Sequence, residues 1–151
     1  MKQSLYLILD NIRSMENVGS IFRTADAAGV KKIYLCGITP RPPRKEIDKA
    51  ALGAVDFVEW EYTESIMDLV LSIKQKRIFV IALEQDKRSM KYPEINPQNS
   101  PIALIIGNEI NGINPEILDL TDQIIEIPMH GQKNSLNVAV ATGIALFEII
   151  K

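Results

Sequence analysis

The sequence predicts an α/β domain with a mostly parallel sheet and helices on both of its faces. Short apolar runs rich in Val, Ile and Leu alternate along the chain with segments whose apolar residues recur every three or four positions. Strands that alternate with helices in this way form parallel sheets. Loops rich in Pro, Asn and charged residues separate the elements.

Six strands and four helices are expected from these patterns. The strands are predicted at residues 4–9, 32–35, 56–60, 78–83, 102–106 and 123–127. The helices are predicted near residues 18–28, 66–76, 115–118 and 136–150, with a shorter helical turn near 47–52. The segments 39–44 and 87–100 are predicted as loops.

Length and composition indicate one globular domain covering residues 1–151. A single cysteine, Cys36, excludes an internal disulfide and fits a reducing compartment. We expect a cytoplasmic protein, because the sequence shows no secretion signal and no apolar run of membrane-spanning length. The net charge of −2 means that a polyanionic partner would have to bind a local basic patch.

The common nucleotide and metal signatures are missing from the sequence. Neither G-x-G-x-x-G nor G-x-x-x-x-G-K-[ST] occurs, and one histidine with one cysteine makes a zinc site implausible, so we expect no metal. Ser135 and His130 share a loop, which leaves a hydrolase open as an alternative. No G-x-S-x-G elbow supports that alternative.

The first turn with chemical potential follows the first strand. Asn17 is predicted to cap the helix that follows, and Val18, Ile21 and Phe22 are predicted to face the core. Arg23 is four residues after Gly19, so its side chain is expected to reach over that glycine toward the loops at the strand ends.

Taken alone, Arg23 has a simpler interpretation. An ion pair with Asp26 on a solvated helix face is more common for such a spacing than a functional role.

The second turn follows the strand at 102–106. Gly107 and Gly112 allow the backbone to approach a ligand closely, and Glu109 is between them. Asn114 followed by Pro115 is typical of a helix start. Without its neighbours, Glu109 would be interpreted as a solvated turn carboxylate or a helix cap.

The third turn joins the strand at 123–127 to the last helix. Ser135 and Asn137 are at the head of that helix, where either residue is as easily an ordinary cap as a ligand contact. The helix is apolar on both sides, so it is expected to pack on its own sheet and on a second subunit. All three turns follow parallel strands at their carboxyl ends, where α/β folds place ligands.

Together, the turns carry a recognisable set of motifs. They are N-x-G-x-x-x-R-T-A at residues 17–25, I-G-N-E-x-x-G at 106–112, and I-P-M-x-G-x-x-x-S-L-N-V-A-V-A at 127–141. The set resembles motifs 1, 2 and 3 of the SpoU (TrmH-like) RNA 2′-O-ribose methyltransferases of the SPOUT superfamily, in the same order. The segment K-A-A-L-G-A at 49–54 is also similar to that family, and the resemblance covers essentially the whole chain.

The resemblance implies a deep trefoil knot at the C-terminal end of the α/β fold, contrary to the usual rule against knots. It also implies S-adenosylmethionine bound in the knot, an RNA substrate (tRNA or rRNA), and a homodimer with the active site near the subunit interface. Because no RNA-binding extension is expected here, RNA specificity would come from this domain, its dimer partner or another protein.

The resemblance also assigns roles to residues. Arg23 would stabilise the negative charge that develops on the ribose oxygen, since an arginine keeps its proton and is a poor base. Asn17 would orient Arg23 or the ribose, and Glu109 would hold Asn17 or Arg23. Ser135 and Asn137 would fix the carboxylate end of the donor or the target nucleotide. The cofactor is expected to contact Ile106, Gly107, Asn108, Ile127, Met129, Ser135 and Leu136.

The basic residues of the segment after the second strand are the expected contacts for the RNA backbone. They are Arg41, Arg44, Lys45 and Lys49. Two alternatives within the same fold remain: a base-methylating SPOUT enzyme, and a non-catalytic module that binds RNA or cofactor. The Ser135 and Asn137 pair disfavours the first, and the presence of Arg23 and Glu109 disfavours the second.

Overall fold

One sheet organises the computed structural model, which describes residues 4–92, 94 and 101–151. Within those residues its strands are β1 (Leu5–Asp10), β2 (Lys32–Cys36), β3 (Glu59–Thr63), β4 (Phe79–Leu83), β5 (Met90–Lys91), β6 (Ile102–Ile106) and β7 (Gln123–Glu126). The strand order is β3-β2-β1-β6-β4-β7-β5, and every pairing is parallel. The predicted parallel α/β class is therefore confirmed.

Helices cover both faces of the sheet. They are α1 (Met15–Ala28), α2 (Lys45–Ala51), α3 (Ile66–Gln75), α4 (Pro115–Leu118) and α5 (Val138–Ile149), with a 3-10 turn at Ala54–Asp56. The helices α1, α2 and α5 pack on one face, and α3 and α4 pack on the other. None of the described helices has the length and apolar character needed to cross a membrane.

The predicted starts of two helices were wrong. The helix α1 begins at Met15, because the Ser14 hydroxyl caps it by accepting from the backbone N–H of Asn17 at 3.1 Å. Asn17 therefore is not the cap but belongs to the first turn. The last helix begins at Val138 rather than residue 136, since Asn137 is its cap.

The pairing of strands in the folded chain explains two further differences between the predicted and the observed strands. The strand predicted at 56–60 is at Glu59–Thr63, where Lys32 to Cys36 provide parallel partners, and Ala54–Asp56 forms a 3-10 turn instead. The predicted loop 87–100 contains β5, which pairs with β7. The rest of that predicted loop includes residues 93 and 95–100, which are outside the described part of the chain.

A crevice lies between β1 and β6 at the carboxyl end of the sheet, and its position follows from how the strands are connected. The chain leaves β1 toward α1 on one face and leaves β6 toward α4 on the other. Ligands of open α/β sheets bind at such switch points. The loops after β1 and β6, and the adjacent loops after β4 and β7, are therefore the part of the fold that positions a site.

Gly19 allows α1 and α2 to pack closely. A Cβ atom added at Gly19 would collide with the Ile47 carbonyl oxygen and would lie 2.7 Å from the Ala50 Cβ. The helix α2 covers this glycine, so the prediction that Arg23 reaches over a bare Gly19 was wrong. The sequence pattern alone does not show which neighbour requires the missing side chain.

We predict that Gly19→Ala destabilises the fold by about 1–3 kcal/mol, because the backbone of α2 would have to move away. Urea unfolding at a fixed protein concentration measures this loss. Gly131→Ala is the matched control, since nothing lies within 4 Å of an added Cβ there and its backbone needs no positive φ. An equal loss in both variants would contradict the packing role of Gly19.

Candidate active site

A cleft of about 200 Å³ opens at the carboxyl ends of β4, β6 and β7. All seven residues predicted to contact a cofactor line it, namely Ile106, Gly107, Asn108, Ile127, Met129, Ser135 and Leu136. The loops after β6 and β7 thus face one another across a common space. One wall is largely apolar and the loop ends supply polar groups, which suits a ligand with an aromatic ring and a charged tail.

The loop after β6 is held in shape by its own hydrogen bonds. The Asn108 side-chain oxygen accepts from the backbone N–H groups of Ile110 and Asn111 at 2.9 Å each. A Cβ atom at Gly107 would lie 2.6 Å from Ile113 Cγ1 and 2.7 Å from the Gly112 carbonyl carbon. Gly107 therefore permits the loop to fold back on itself beside the cleft, so that the close approach here is by the protein's own backbone.

Glu84, which the sequence analysis did not single out, supports the same loop from β4. Its carboxylate accepts from the backbone N–H of Ile113 at 2.8 Å and packs against Gly112, which has φ +68°. The neighbouring Gln85 donates to the Asn134 carbonyl at 2.8 Å and so connects β4 to the loop before α5. The sequence feature that could have identified Glu84 is its position directly after a buried parallel strand.

Glu109 binds the start of α1. Its carboxylate accepts from the backbone N–H of Arg13 at 3.0 Å, from that of Ser14 at 3.2 Å, and from the Asn17 side-chain amide at 3.4 Å. Burial tends to raise the pKa of Glu109, but these donors outweigh burial and hold the pKa below its ordinary value. Glu109 is thus ionised and holds Asn17. The sequence analysis expected it to hold either Asn17 or Arg23.

Asn17 extends this contact to the last helix. Its side-chain oxygen accepts from the Asn137 side-chain amide at 3.2 Å, and the Asn137 oxygen in turn caps α5 through Ala139 N–H at 2.9 Å. One hydrogen-bonded chain, Glu109–Asn17–Asn137, therefore joins the three motif segments at the mouth of the cleft. Ser135 lines the cleft beside it.

Arg23 is not brought to this cleft. It is exposed on α1 and is absent from the cleft lining. Among the described residues it forms neither an ion pair nor a hydrogen bond, so the alternative pair with Asp26 is not formed. Glu109 does not hold it either. No described residue of this chain therefore gives Arg23 a charged or hydrogen-bonded partner.

Polar side chains that the sequence analysis missed connect the loops after β1 and β2. The Asn11 side-chain oxygen accepts from Ile38 N–H at 2.9 Å, and the buried Thr39 hydroxyl accepts from Ile12 N–H at 3.0 Å. Asp10, also buried, accepts from the Asn11 amide, and burial raises its pKa to about 6. These contacts fix the loop that Glu109 holds.

The remaining predicted residues lie apart from the cleft. Arg41, Arg44, Lys45 and Lys49 are exposed on the loop after β2 and on α2, and none lines the cleft. In the described part of the chain, Ser135 and His130 share no hydrogen bond, and His130 is not part of the cleft lining. No group of three or more potential metal-binding side chains occurs among the described residues.

Known proteins resemble this chain over nearly its whole length. It is 33% identical over 148 residues to the tRNA (guanosine(18)-2′-O)-methyltransferase of Aquifex aeolicus, covering 97% of this chain and 69% of that protein. It is 30% identical to the 23S rRNA (guanosine-2′-O-)-methyltransferase RlmB of Vibrio parahaemolyticus, covering 97% and 59%. The AdoMet-bound rRNA methyltransferase structure from Sinorhizobium meliloti superposes with a TM-score of 0.88 at 34% identity, covering 98% and 56%.

The chain thus spans between 56% and 69% of the lengths of these three proteins. The part that it shares with them contains the cleft and all three motif segments. The model of one family matches residues 4–147, which include every strand and helix described above except the end of the last helix. The resemblance seen in the motifs is therefore confirmed, and the chain belongs to the SpoU rRNA Methylase family.

Proposed function

We propose that this chain is an S-adenosylmethionine-dependent RNA 2′-O-ribose methyltransferase that acts on tRNA or rRNA. The named relatives modify the 2′ oxygen of guanosine in tRNA or 23S rRNA, and a structural neighbour binds AdoMet. The single observation that carries the proposal is the Glu109–Asn17–Asn137 chain. It joins an ionised group that lines the cleft to two side-chain amides, and in the proposed mechanism the donor and acceptor would meet beside it.

The cleft fits the donor by its composition. Leu83, Ile106, Ile127, Met129 and Leu136 supply apolar surface for an adenine ring, and the backbone beside Gly107 and Asn108 supplies polar contacts. Ser135, which lines the same cleft, would contact the amino-acid end of the donor. Asn137 is already committed to the α5 cap and to Asn17, so its contribution is to position Asn17 rather than to bind the donor.

The bound donor supplies an already activated methyl group, so the protein mainly has to position the acceptor and stabilise its charge. The ribose oxygen gains negative charge as its proton leaves, and a preorganised cation beside it lowers the barrier. Arg23 is the cation for this role, because a guanidinium remains charged and presents a planar set of donors. Asn17, held by Glu109, would orient the ribose.

A homodimer would bring Arg23 close to a cofactor cleft, that of the partner subunit. The outer face of α5 exposes Val140, Phe147 and Ile150, which is an unusual set of apolar side chains to leave in water. The helix α1 packs beside α5, with Thr24 against Gly143, so Arg23 lies next to that face. In a symmetric dimer through α5, Arg23 would reach the cleft of the partner subunit.

The deep trefoil knot expected for the family is part of the proposal. The strand order supports it, because β7 lies between β4 and β5, while the chain passes from β4 through β5 before it reaches β6. In the proposed knot, the segment after β7 would cross the connection between β4 and β6 before α5 packs on α1. Residues of that segment, among them Met129 and Ser135, line the cleft.

RNA binding would use the exposed basic residues Arg41, Arg44, Lys45 and Lys49, which give a local positive surface on a chain of net charge −2. A single catalytic domain over residues 1–151, working in the cytoplasm, completes the proposal. The substrate class of the relatives supports the RNA assignment.

The test is methylation of total tRNA and of rRNA with S-adenosylmethionine labelled in its methyl group. We expect label in 2′-O-methylnucleosides after digestion of the RNA. Label in methylated bases would establish the base-methylating alternative, and cofactor binding without transfer to any RNA would favour the non-catalytic alternative. Calorimetry with the cofactor separates a failure of binding from a failure of chemistry.

We predict that Arg23→Ala lowers the single-turnover methylation rate roughly 100-fold while cofactor affinity stays nearly unchanged, as for loss of one preorganised donor to a developing oxyanion. Arg23→Lys should not restore the full rate, because an ammonium lacks the planar fork. A rate near that of the wild type in Arg23→Ala would remove this residue from the mechanism.

A mixed dimer tests which cleft Arg23 serves. Gly107→Ala should disrupt the cofactor cleft, since its Cβ would collide with the loop at Gly112 and Ile113. If Arg23 acts across the interface, dimers of one Arg23→Ala and one Gly107→Ala subunit contain one complete site and regain activity. If Arg23 acts within its own subunit, no complete site exists and the mixture stays inactive.

We predict a dimer of twice the monomer mass of 16.9 kDa, dissociated by Phe147→Asp, because a carboxylate would be buried in the α5 interface. Sedimentation velocity at micromolar concentration measures the mass. Phe57→Asp is the matched control: Phe57 is 79% exposed against 48% for Phe147, and it lies beside the 3-10 turn after α2. Dissociation by both variants, or a monomeric wild type, would contradict the interface.

A further inference from the structure

Arg41 stacks on an aromatic ring that the structure holds in place. Its guanidinium carbon lies 4.0 Å from the centroid of the Tyr62 ring. Tyr62 is half-buried at the carboxyl end of β3, and its hydroxyl donates to the Gly37 carbonyl at 2.8 Å. The ring therefore has a fixed orientation, and Arg41 is ordered on top of it by a cation–π contact.

The stack is attached to the loop that Glu109 binds. Two residues before Arg41, the buried Thr39 accepts from the backbone N–H of Ile12, and Arg13, the next residue, donates its N–H to Glu109. The Arg41–Tyr62 stack is thus at the same edge of the sheet as the proposed acceptor site. The bonds through Thr39 and Ile12 hold the two features in a defined relation.

The hydrogen-bonding edge of Arg41 is unused within the described residues, where it forms no ion pair and no hydrogen bond. Arg88 shows the contrast, because its guanidinium bonds both Asp86 and Asp119. Since Arg41 is exposed, the guanidinium face turned away from Tyr62 is accessible. A flat, charged face supported by a fixed ring is a surface on which an unpaired nucleobase stacks.

We propose that the Arg41–Tyr62 stack is a platform for an unpaired base of the RNA substrate, with the base lying on the outer face of the guanidinium. This inference rests on the proposed function, since it specifies how that RNA is bound. It assigns a positioning role to Tyr62 and a base contact to Arg41, in place of the simple phosphate contact expected of a basic loop. Arg44 and Lys45 at the start of α2, and Lys49 in its last turn, remain available for the backbone phosphates.

Arg41→Lys is the decisive variant because it keeps the charge and removes the planar face. The probes are an oligouridine of about 12 nucleotides and an abasic oligomer of equal length and charge. We expect Arg41→Lys to weaken oligouridine binding roughly 5- to 150-fold, the range for loss of one stacked base. Affinity for the abasic oligomer and the salt dependence of binding should stay unchanged, since no phosphate contact is lost.

Two controls, Tyr62→Phe and Arg77→Lys, accompany the Arg41→Lys variant. Tyr62→Phe keeps the ring and should retain most of the affinity, whereas Tyr62→Leu removes the support and should behave like Arg41→Lys. Arg77→Lys makes the same exchange at an exposed arginine just before β4, at the amino end of the strands. It should leave the affinity for both oligomers unchanged. Wild-type affinity of Arg41→Lys for oligouridine, or an equal loss for both probes, would overturn the platform.

The outcome is separable from that of the proposed function. A protein that methylates RNA normally but whose Arg41→Lys variant binds oligouridine like the wild type refutes only the platform. A protein that loses oligouridine affinity on Arg41→Lys yet transfers no methyl group refutes only the enzyme assignment. Measuring cofactor binding to each variant by calorimetry shows that the fold is intact in both cases.

Discussion

The contact between the Glu109 carboxylate and the start of α1 is the interaction on which the site depends. Arg13 and Ser14 lie directly before the first residue of α1, and the Glu109 carboxylate, from the loop after β6, accepts from their backbone N–H groups. The same carboxylate holds Asn17, which holds Asn137. Because these N–H donors hold the pKa of Glu109 below its ordinary value, the carboxylate is ionised and the three motif segments remain joined at neutral pH.

Close backbone packing at glycines gives the surrounding elements their positions. Gly19 brings α2 against α1, and Gly107 brings the Gly112–Ile113 turn against the end of β6. Gly143 lies beside Thr24, so α5 runs close to α1. The buried side of α5 is formed by Thr142, Ala145, Leu146 and Ile149, and in the proposed dimer its exposed apolar residues would meet a second subunit beside Arg23.

RNA recognition would combine several surface features, each of which contributes only modestly to binding. The chain has a slightly negative net charge, so affinity has to come from a local surface. The loop after β2 combines exposed cations with the ordered Arg41–Tyr62 stack, and its hydrogen bonds to the loop after β1 connect it to the proposed site of chemistry. In the proposed function, positioning of the RNA and stabilisation of the reacting oxygen would both take place at the carboxyl end of the sheet.

The sequence by itself determined the fold class, the family and the residues around the cleft. Buried parallel strands are continuous apolar runs, and the motif residues are close together along the chain, so both are visible in the local pattern. Only the tertiary structure decided the partners across the chain: Ser14 rather than Asn17 caps α1, and α2 rather than Arg23 covers Gly19. It also showed Glu84 beneath Gly112 and Tyr62 beneath Arg41, because such contacts join residues far apart in sequence and leave no periodic signal.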